Sequence, residues 1–194
     1  KTIYFTDTCK TKIIQDKITK SPIFMMKFRA FLNASLFVFL CSLTTFSSAQ
    51  DKVPEVKVKE IMANQWKSMP DLLNTEGPTI ISFWATWCKP CIRELNTVNE
   101  VYEDWQDETN VKLIAVSIDD SRSQARVPAF VNARGWEFDV YSDPNSDLNR
   151  AMGVNDIVPF TFILDKEGKI VYRHSSYNPG DEEKYYEVLL ELSE

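Results

Sequence analysis

The chain has 194 residues, of which 44% are hydrophobic, and its formal net charge is −6. That length is enough for one domain of ordinary size with its own core, together with a leader. An acidic chain is a poor partner for a phosphate backbone, so we expect no binding to nucleic acid.

The N-terminal part of the chain has the character of a leader. Residues 1–25 are polar and lack periodicity, and a Met-led start follows them, so we expect 1–25 to be a non-native upstream segment. Residues 26–49 have the form of a signal peptide, because positive charges precede an apolar run and small residues close it. The alternative is a membrane anchor formed by residues 30–46. Either interpretation makes residues 51–194 a periplasmic or otherwise extracytoplasmic domain, which is soluble if the signal is cleaved and membrane-anchored by residues 30–46 if it is not.

Hydrophobic periodicity predicts alternating strands and helices in this domain. Apolar–charged alternation over 53–59 predicts an exposed edge strand, and Pro128 is expected to kink or break a helix. Two apolar runs flank an amphipathic helix and predict a buried βαβ unit. The remaining predictions are helices at 69–73, 89–105, 121–134, 147–152 and 180–192, and strands at 79–84, 111–118, 138–141, 160–164 and 170–173.

Two cysteines, Cys88 and Cys91, stand at the point where a buried strand turns into a helix. Unpaired N–H groups and the helix dipole favour a thiolate there, so we expect Cys88 to be the exposed attacking thiol and Cys91 the resolving thiol. Cys9 and Cys41 fall in the leader, which leaves the pair with only each other as disulfide partners. The pair stores two electrons itself, so it requires no cofactor.

A structural zinc site is the competing interpretation of a Cys-x-x-Cys pair. It would need a second Cys pair or suitably spaced histidines, whereas His174 is the only His of the chain. The spacing and the single histidine therefore favour redox chemistry, and we expect no bound metal.

The segment Phe83–Cys91, FWATWCKPC, resembles the active-site segment of the thioredoxin superfamily, and its exported TlpA/ResA branch is the more similar part. Further similarities are the leader, a strand-helix insertion at about 121–153 and the Val-Pro-x-Thr-Phe segment Val158–Phe162. The likeness covers roughly 53–194. It implies an α/β fold, a thioredoxin-like three-layer α/β/α sandwich with a mixed central sheet.

The resemblance also implies a substrate-binding edge. Pro159 would have a cis peptide bond facing the cysteines. Val158 before it would offer its backbone to a substrate that binds in the manner of an added strand. Independently of the resemblance, Trp87 precedes Cys88 directly, and we expect it to shield that thiol and to contribute to the partner surface.

Glu94 is the candidate for proton transfer. It lies three positions after Cys91, on the same side of the predicted helix, so it could receive or donate the proton of that thiol. A solvated helix residue paired with Lys or Arg is the equally open alternative. Many thioredoxins bury an Asp where this chain has Ser82, so its proton handling must differ from theirs.

These features favour an extracytoplasmic thiol-disulfide oxidoreductase that reduces protein disulfides through a Cys88–Cys91 dithiol/disulfide cycle. By resemblance, its partners are a disulfide-bearing exported protein, such as an apocytochrome c, and a membrane thiol reductant that recycles the disulfide. The sequence does not identify either partner.

Two alternative functions have weaker support. A thiol peroxidase of the peroxiredoxin type would need a different spacing, since Thr86 stands too close to the first cysteine and the upstream position where that family usually has Pro holds another residue. A copper-delivery module would have a Cys spacing one residue longer, and His174 would have to fold back to the thiols.

Overall fold

The computed structural model describes residues 52–193. The expectations for residues 1–25, 26–49 and 30–46, which concern the leader and its cleavage or anchoring, lie outside the described residues. Within 52–193, no helix is both long enough and apolar enough to cross a bilayer.

A mixed sheet of seven strands forms the centre of the described part of the chain. The strands are β1 Lys57–Glu60, β2 Trp66–Ser68, β3 Thr79–Trp84, β4 Lys112–Ser117, β5 Asp139–Ser142, β6 Phe160–Leu164 and β7 Ile170–Ser175. Their order across the sheet is β2-β1-β5-β4-β3-β6-β7. Strands β3, β4 and β5 run parallel, whereas the other neighbouring strands pair antiparallel. The predicted mixed sheet is confirmed.

Four α-helices and two 3-10 helices accompany the sheet between residues 52 and 193. They are the 3-10 helix Met69–Leu72, α1 Lys89–Thr109, the 3-10 helix Gln124–Arg126, α2 Val127–Asn132, α3 Asp147–Ala151 and α4 Asp181–Ser193. Helix α1 extends one turn beyond its predicted end. It buries most of its predicted apolar stripe, namely Leu95, Val98, Tyr102 and Trp105.

Strand β3 lies in the middle of the core. All six of its residues are buried, so both faces of the sheet are covered at this strand. On one face Trp84 packs against Phe130 of α2, with ring centroids 5.7 Å apart. On the other face Phe83 meets the edge of Phe162 of β6 at 6.0 Å. The sheet is therefore the middle layer of the predicted three-layer sandwich.

The prediction of an edge strand at 53–59 is wrong in position. Strand β1 begins at Lys57 and lies between β2 and β5, so β2 forms this edge of the sheet. The alternation nevertheless has a physical origin, because Val58 is buried and Val56 packs partly buried against the core, whereas Glu55 and Lys57 are exposed. Alternation reports which side chains are covered, not whether another strand pairs with the backbone.

The predicted helix at 121–134 is also shorter than expected. The chain makes a turn and a 3-10 helix first, and α2 begins only at Val127. Pro128 lies in the first turn of α2, where its missing N–H costs no intrahelical hydrogen bond, instead of kinking a longer helix. The proline therefore sets the start of α2.

The segments that sequence analysis singled out lie together at one end of the strands. The carboxyl ends of the parallel strands β3 and β4 meet there, followed by α1 and by Asp119 respectively. Strand β6 runs antiparallel to β3 and pairs Phe160 with Phe83, so the preceding Val158–Pro159 pair lies at the same end of the strands. The cysteines and the Val-Pro segment are thus brought together by topology.

Candidate active site

The cysteine pair lies at the N-terminus of α1. Cys88 is the N-cap residue, and its N–H donates to the Ala85 carbonyl at 3.0 Å in the turn that follows β3. Pro90 occupies the first turn of the helix, as expected. The free N–H groups of that turn stabilise negative charge, so the Cys88 sulfur sits where a thiolate is favoured.

Cys88 and Cys91 form a disulfide, with their Cα atoms 5.3 Å apart. The Cys91 N–H donates to the Cys88 Sγ at 3.2 Å, which is the sulfur that would carry negative charge after reduction. Cys91 is fully buried and Cys88 is 5% exposed. Both residues are therefore buried in the disulfide form, and the expectation of an exposed Cys88 is wrong for this form of the protein.

Exposed apolar groups flank the disulfide. Trp87 is 59% exposed, and Ile157 is 58% exposed beside the Val-Pro segment. The Val158–Pro159 peptide bond is cis, as the resemblance implied. Val158 is half-buried, and the Pro159 carbonyl accepts a hydrogen bond from Ser176. Large exposed apolar side chains beside a reactive bond are suited to contact another chain.

Glu94 lies on α1 and is buried, with 1% of its surface exposed. Its Oε1 accepts hydrogen bonds from Thr161 Oγ1 at 2.7 Å and from Tyr185 OH at 2.8 Å. Its Oε2 has no hydrogen-bond partner among the described residues. The alternative of a solvated helix residue is therefore wrong: the carboxyl group is enclosed and one of its oxygens remains able to take a proton.

Burial controls the protonation of Glu94. Desolvation raises the pKa of its carboxyl group from 4.5 to about 7, while the hydrogen bonds from Thr161 and Tyr185 oppose the rise. The positive charge available at His174 also lowers this pKa, and Asp181 raises it. A carboxyl group with a pKa near neutrality can both accept and return a proton at physiological pH.

The small side chain of Ser82 makes room for this carboxyl group. Ser82, Glu94, Thr161 and Tyr185 line a small cavity of about 10 Å³ between the sheet and the two helices α1 and α4. Thr161 Oγ1 also lies 3.4 Å from Ser82 Oγ. The chain therefore carries its buried carboxyl on the helix, in space that an acidic side chain at position 82 would occupy.

Asp119 directly follows a strand, and that position is compatible with the border of the active face or with a helix cap, of which the cap is the simpler interpretation. It is fully buried. Its carboxylate accepts from Thr86 N at 2.8 Å, from Thr86 Oγ1 at 2.6 Å and from Ser117 Oγ at 2.8 Å. These bonds tie the end of β4 to the loop that carries Trp87 and Cys88. The location of an acidic residue directly after a buried parallel strand was the available signal.

His174 lies on β7 and contacts Asp181 and Tyr185. Its Nε2 lies 3.2 Å from Asp181 Oδ2, and its ring meets the edge of the Tyr185 ring. In residues 52–193, no group of three or more His, Cys, Asp or Glu residues is placed to hold a metal ion.

Comparison with known proteins gives concordant results. The family model described as AhpC/TSA family matches residues 49–173. Thiol-disulfide oxidoreductase ResA of Bacillus thuringiensis strain Al Hakam is 37% identical over 91 residues, which cover 47% of this chain and 50% of the relative. The chain thus spans about half the length of that relative. ResA of B. thuringiensis subsp. konkukian is 29% identical over 160 residues, covering 76% and 88% of the two chains.

Solved structures show the same fold. An uncharacterised thioredoxin-like protein from Porphyromonas gingivalis is 45% identical, with a TM-score of 0.65 and coverage of 73% of this chain and 91% of that one. A putative thiol:disulfide interchange protein DsbE from Chlorobium tepidum is 25% identical, with a TM-score of 0.64 and coverage of 75% and 97%. The chain belongs to the AhpC/TSA family and is a ResA/TlpA-like member of the thioredoxin superfamily.

Proposed function

We propose that this protein is an extracytoplasmic thiol-disulfide oxidoreductase that reduces disulfides in exported proteins. The observation that supports it best is the Cys88–Cys91 disulfide at the N-terminus of α1, where Cys88 is the N-cap residue and its sulfur accepts the Cys91 N–H. The ResA relatives, which carry the name thiol-disulfide oxidoreductase, support the same chemistry. The signal-like sequence at 26–49 supports the location.

In the first step, the reduced Cys88 thiolate attacks one sulfur of the client disulfide. The client S–S bond breaks, a Cys88–client disulfide forms, and the released client thiolate takes a proton from water. The N-terminus of α1 supports this role because its N–H groups, including that of Cys91, stabilise the attacking sulfur as an anion.

In the second step, Cys91 resolves the mixed disulfide. Its thiol gives its proton to Glu94, and the resulting thiolate attacks the Cys88 sulfur. The Cys88–Cys91 bond forms, the Cys88–client bond breaks, and the second client sulfur leaves as a thiolate that takes a proton from water. The pKa of Glu94 near 7 and its unpartnered Oε2 support this role. Thr161 and Tyr185 hold Oε1, so they act as positioning residues.

The client segment binds beside the start of β6. Val158 offers its backbone to an extended client, Pro159 fixes the backbone conformation there, and the exposed Trp87 ring contacts the client beside the attacked sulfur. Disulfide-bearing exported proteins, with an apocytochrome c as one candidate, are the clients. A membrane thiol reductant returns two electrons to the oxidised pair.

Disulfide exchange is preferred to the alternatives on the geometry of the pair. The nucleophile has its resolving partner one helical turn away, so the mixed disulfide can be opened without a second subunit. A copper-delivery role would need His174 at the sulfurs, whereas it is hydrogen-bonded to Asp181.

A trapping experiment tests the proposal with a defined probe, an oxidised peptide that contains one internal disulfide. We expect reduced Cys91→Ser to accumulate a Cys88–peptide disulfide, the wild-type protein to release reduced peptide, and Cys88→Ser to do neither. Mass spectrometry of acid-quenched samples distinguishes the three outcomes. The proposal fails if Cys91→Ser captures no peptide while its Cys88 is alkylated readily.

A further inference from the structure

A groove of about 490 Å³ begins at Trp87, the residue that directly precedes Cys88. It runs between the loop that follows β4 and the segments that precede α3 and β6. The side chains that define its character are Trp87, Ile118, Asp120, Arg122, Arg126 and Asp156. A client bound at the disulfide would extend into this groove, because Trp87 belongs to both surfaces.

The acidic side chains of the groove are occupied by their own chain. Asp120 Oδ1 accepts from Arg122 N at 3.0 Å and from Ser123 N at 3.1 Å, which closes a local turn. Asp156 Oδ1 accepts from the Asn149 side chain at 2.5 Å. Both carboxylates therefore serve the fold of the loops that form the groove.

The basic side chains are differently placed. Arg122 and Arg126 are exposed, and within residues 52–193 no ion pair joins either guanidinium to a carboxylate. Arg122 lies close enough to Asp120 to stabilise its charge, but the Asp120 oxygen that the turn uses faces backbone N–H groups. Arg122 and Arg126 are therefore the side chains of this groove that can bind a carboxylate.

We propose that this groove selects clients that carry an acidic residue beside the target cysteine, with Arg122 and Arg126 binding the client carboxylate and Trp87 contacting the apolar part of the segment. The proposal rests on the proposed disulfide reductase function and names its substrate class. Such a site acts mainly on the rate of encounter, since charge pairs at the rim of an interface steer association.

The test compares two peptides with one internal disulfide each, one with two Glu residues beside the cysteine and the other with two Lys residues. For the wild-type protein at low salt, we expect the acidic peptide to be reduced about tenfold faster than the basic one. Arg122→Gln with Arg126→Gln should abolish this preference, and Arg122→Glu with Arg126→Glu should invert it. The preference should also shrink as salt is raised.

A matched control separates the groove from the net charge. Lys166 and Lys169 are exposed in the turn between β6 and β7, at the end of the strands opposite to the cysteines. Lys166→Glu with Lys169→Glu makes the same change of charge and should keep the wild-type preference. An equal loss in this control would overturn the proposal.

A neutral small disulfide, 2-hydroxyethyl disulfide, distinguishes a failure of the groove proposal from a failure of the reductase proposal. If the wild-type protein reduces it but treats the acidic and basic peptides alike, the groove proposal is wrong and the reductase proposal stands. If the wild-type protein reduces none of the three disulfides, the reductase function itself is refuted.

Discussion

Glu94→Gln tests the buried carboxyl group through the stability of the fold. Raising the pKa of Glu94 from 4.5 to about 7 on folding corresponds to about 3 kcal/mol of unfolding free energy. The folded state binds this proton more tightly than the unfolded state. The wild-type protein therefore loses stability as pH rises from about 4.5 through about 7, and about 2.5 kcal/mol of that loss falls between pH 5 and pH 8.

The assay is urea unfolding of the oxidised protein at pH 5 and pH 8, in which Cys88 and Cys91 are disulfide-bonded and do not titrate. Gln keeps an oxygen that can accept from Thr161 and Tyr185 but has no proton to lose, so the free energy of unfolding of Glu94→Gln should lack this decrease. Glu100→Gln, at an exposed position of α1, is the control and should behave as the wild type does. Equal pH dependence in Glu94→Gln and the wild type would refute the reasoning.

Two further substitutions test the groups around the site. Tyr185→Phe removes a hydrogen bond that lowers the pKa of Glu94, so the pH midpoint of mixed-disulfide resolution should rise above that of the wild type, whereas Tyr186→Phe should leave it unchanged. An unaltered midpoint would contradict the assigned contact. Asp119→Ala removes two hydrogen bonds from the Thr86 loop and one from Ser117, and we expect roughly 3 kcal/mol of destabilisation by urea unfolding together with slower reaction of Cys88. A variant as stable and as reactive as the wild type would show that the loop needs no such anchor.

The sequence was sufficient for the parts of the fold that depend on local signals. The strands 79–84 and 111–118 and the helix between them were predicted closely, because continuous apolar runs and an apolar stripe at helical spacing report burial directly. The cysteine spacing and Pro90 likewise marked the start of α1, since only the first turn of a helix accepts a proline without loss.

The rest depends on contacts between residues distant in sequence. Tyr185 reaches Glu94 across 91 positions, and nothing local to either residue indicates that pairing. Asp119 lies 33 positions from Thr86, so its position after a strand suggested a cap when its role is to hold a loop. The order of β1 and β2 depends on backbone pairing, which side-chain alternation does not encode.

The reduction potential of the Cys88–Cys91 pair tests the central claim most directly. Equilibration with defined thiol-disulfide buffers, followed by alkylation and mass spectrometry, should give one reversible two-electron transition nearer to about −270 mV, the value of thioredoxin, than to about −120 mV, the value of DsbA. A potential near the DsbA value would contradict a reductase. The absence of any reversible two-electron transition would contradict the dithiol/disulfide cycle itself.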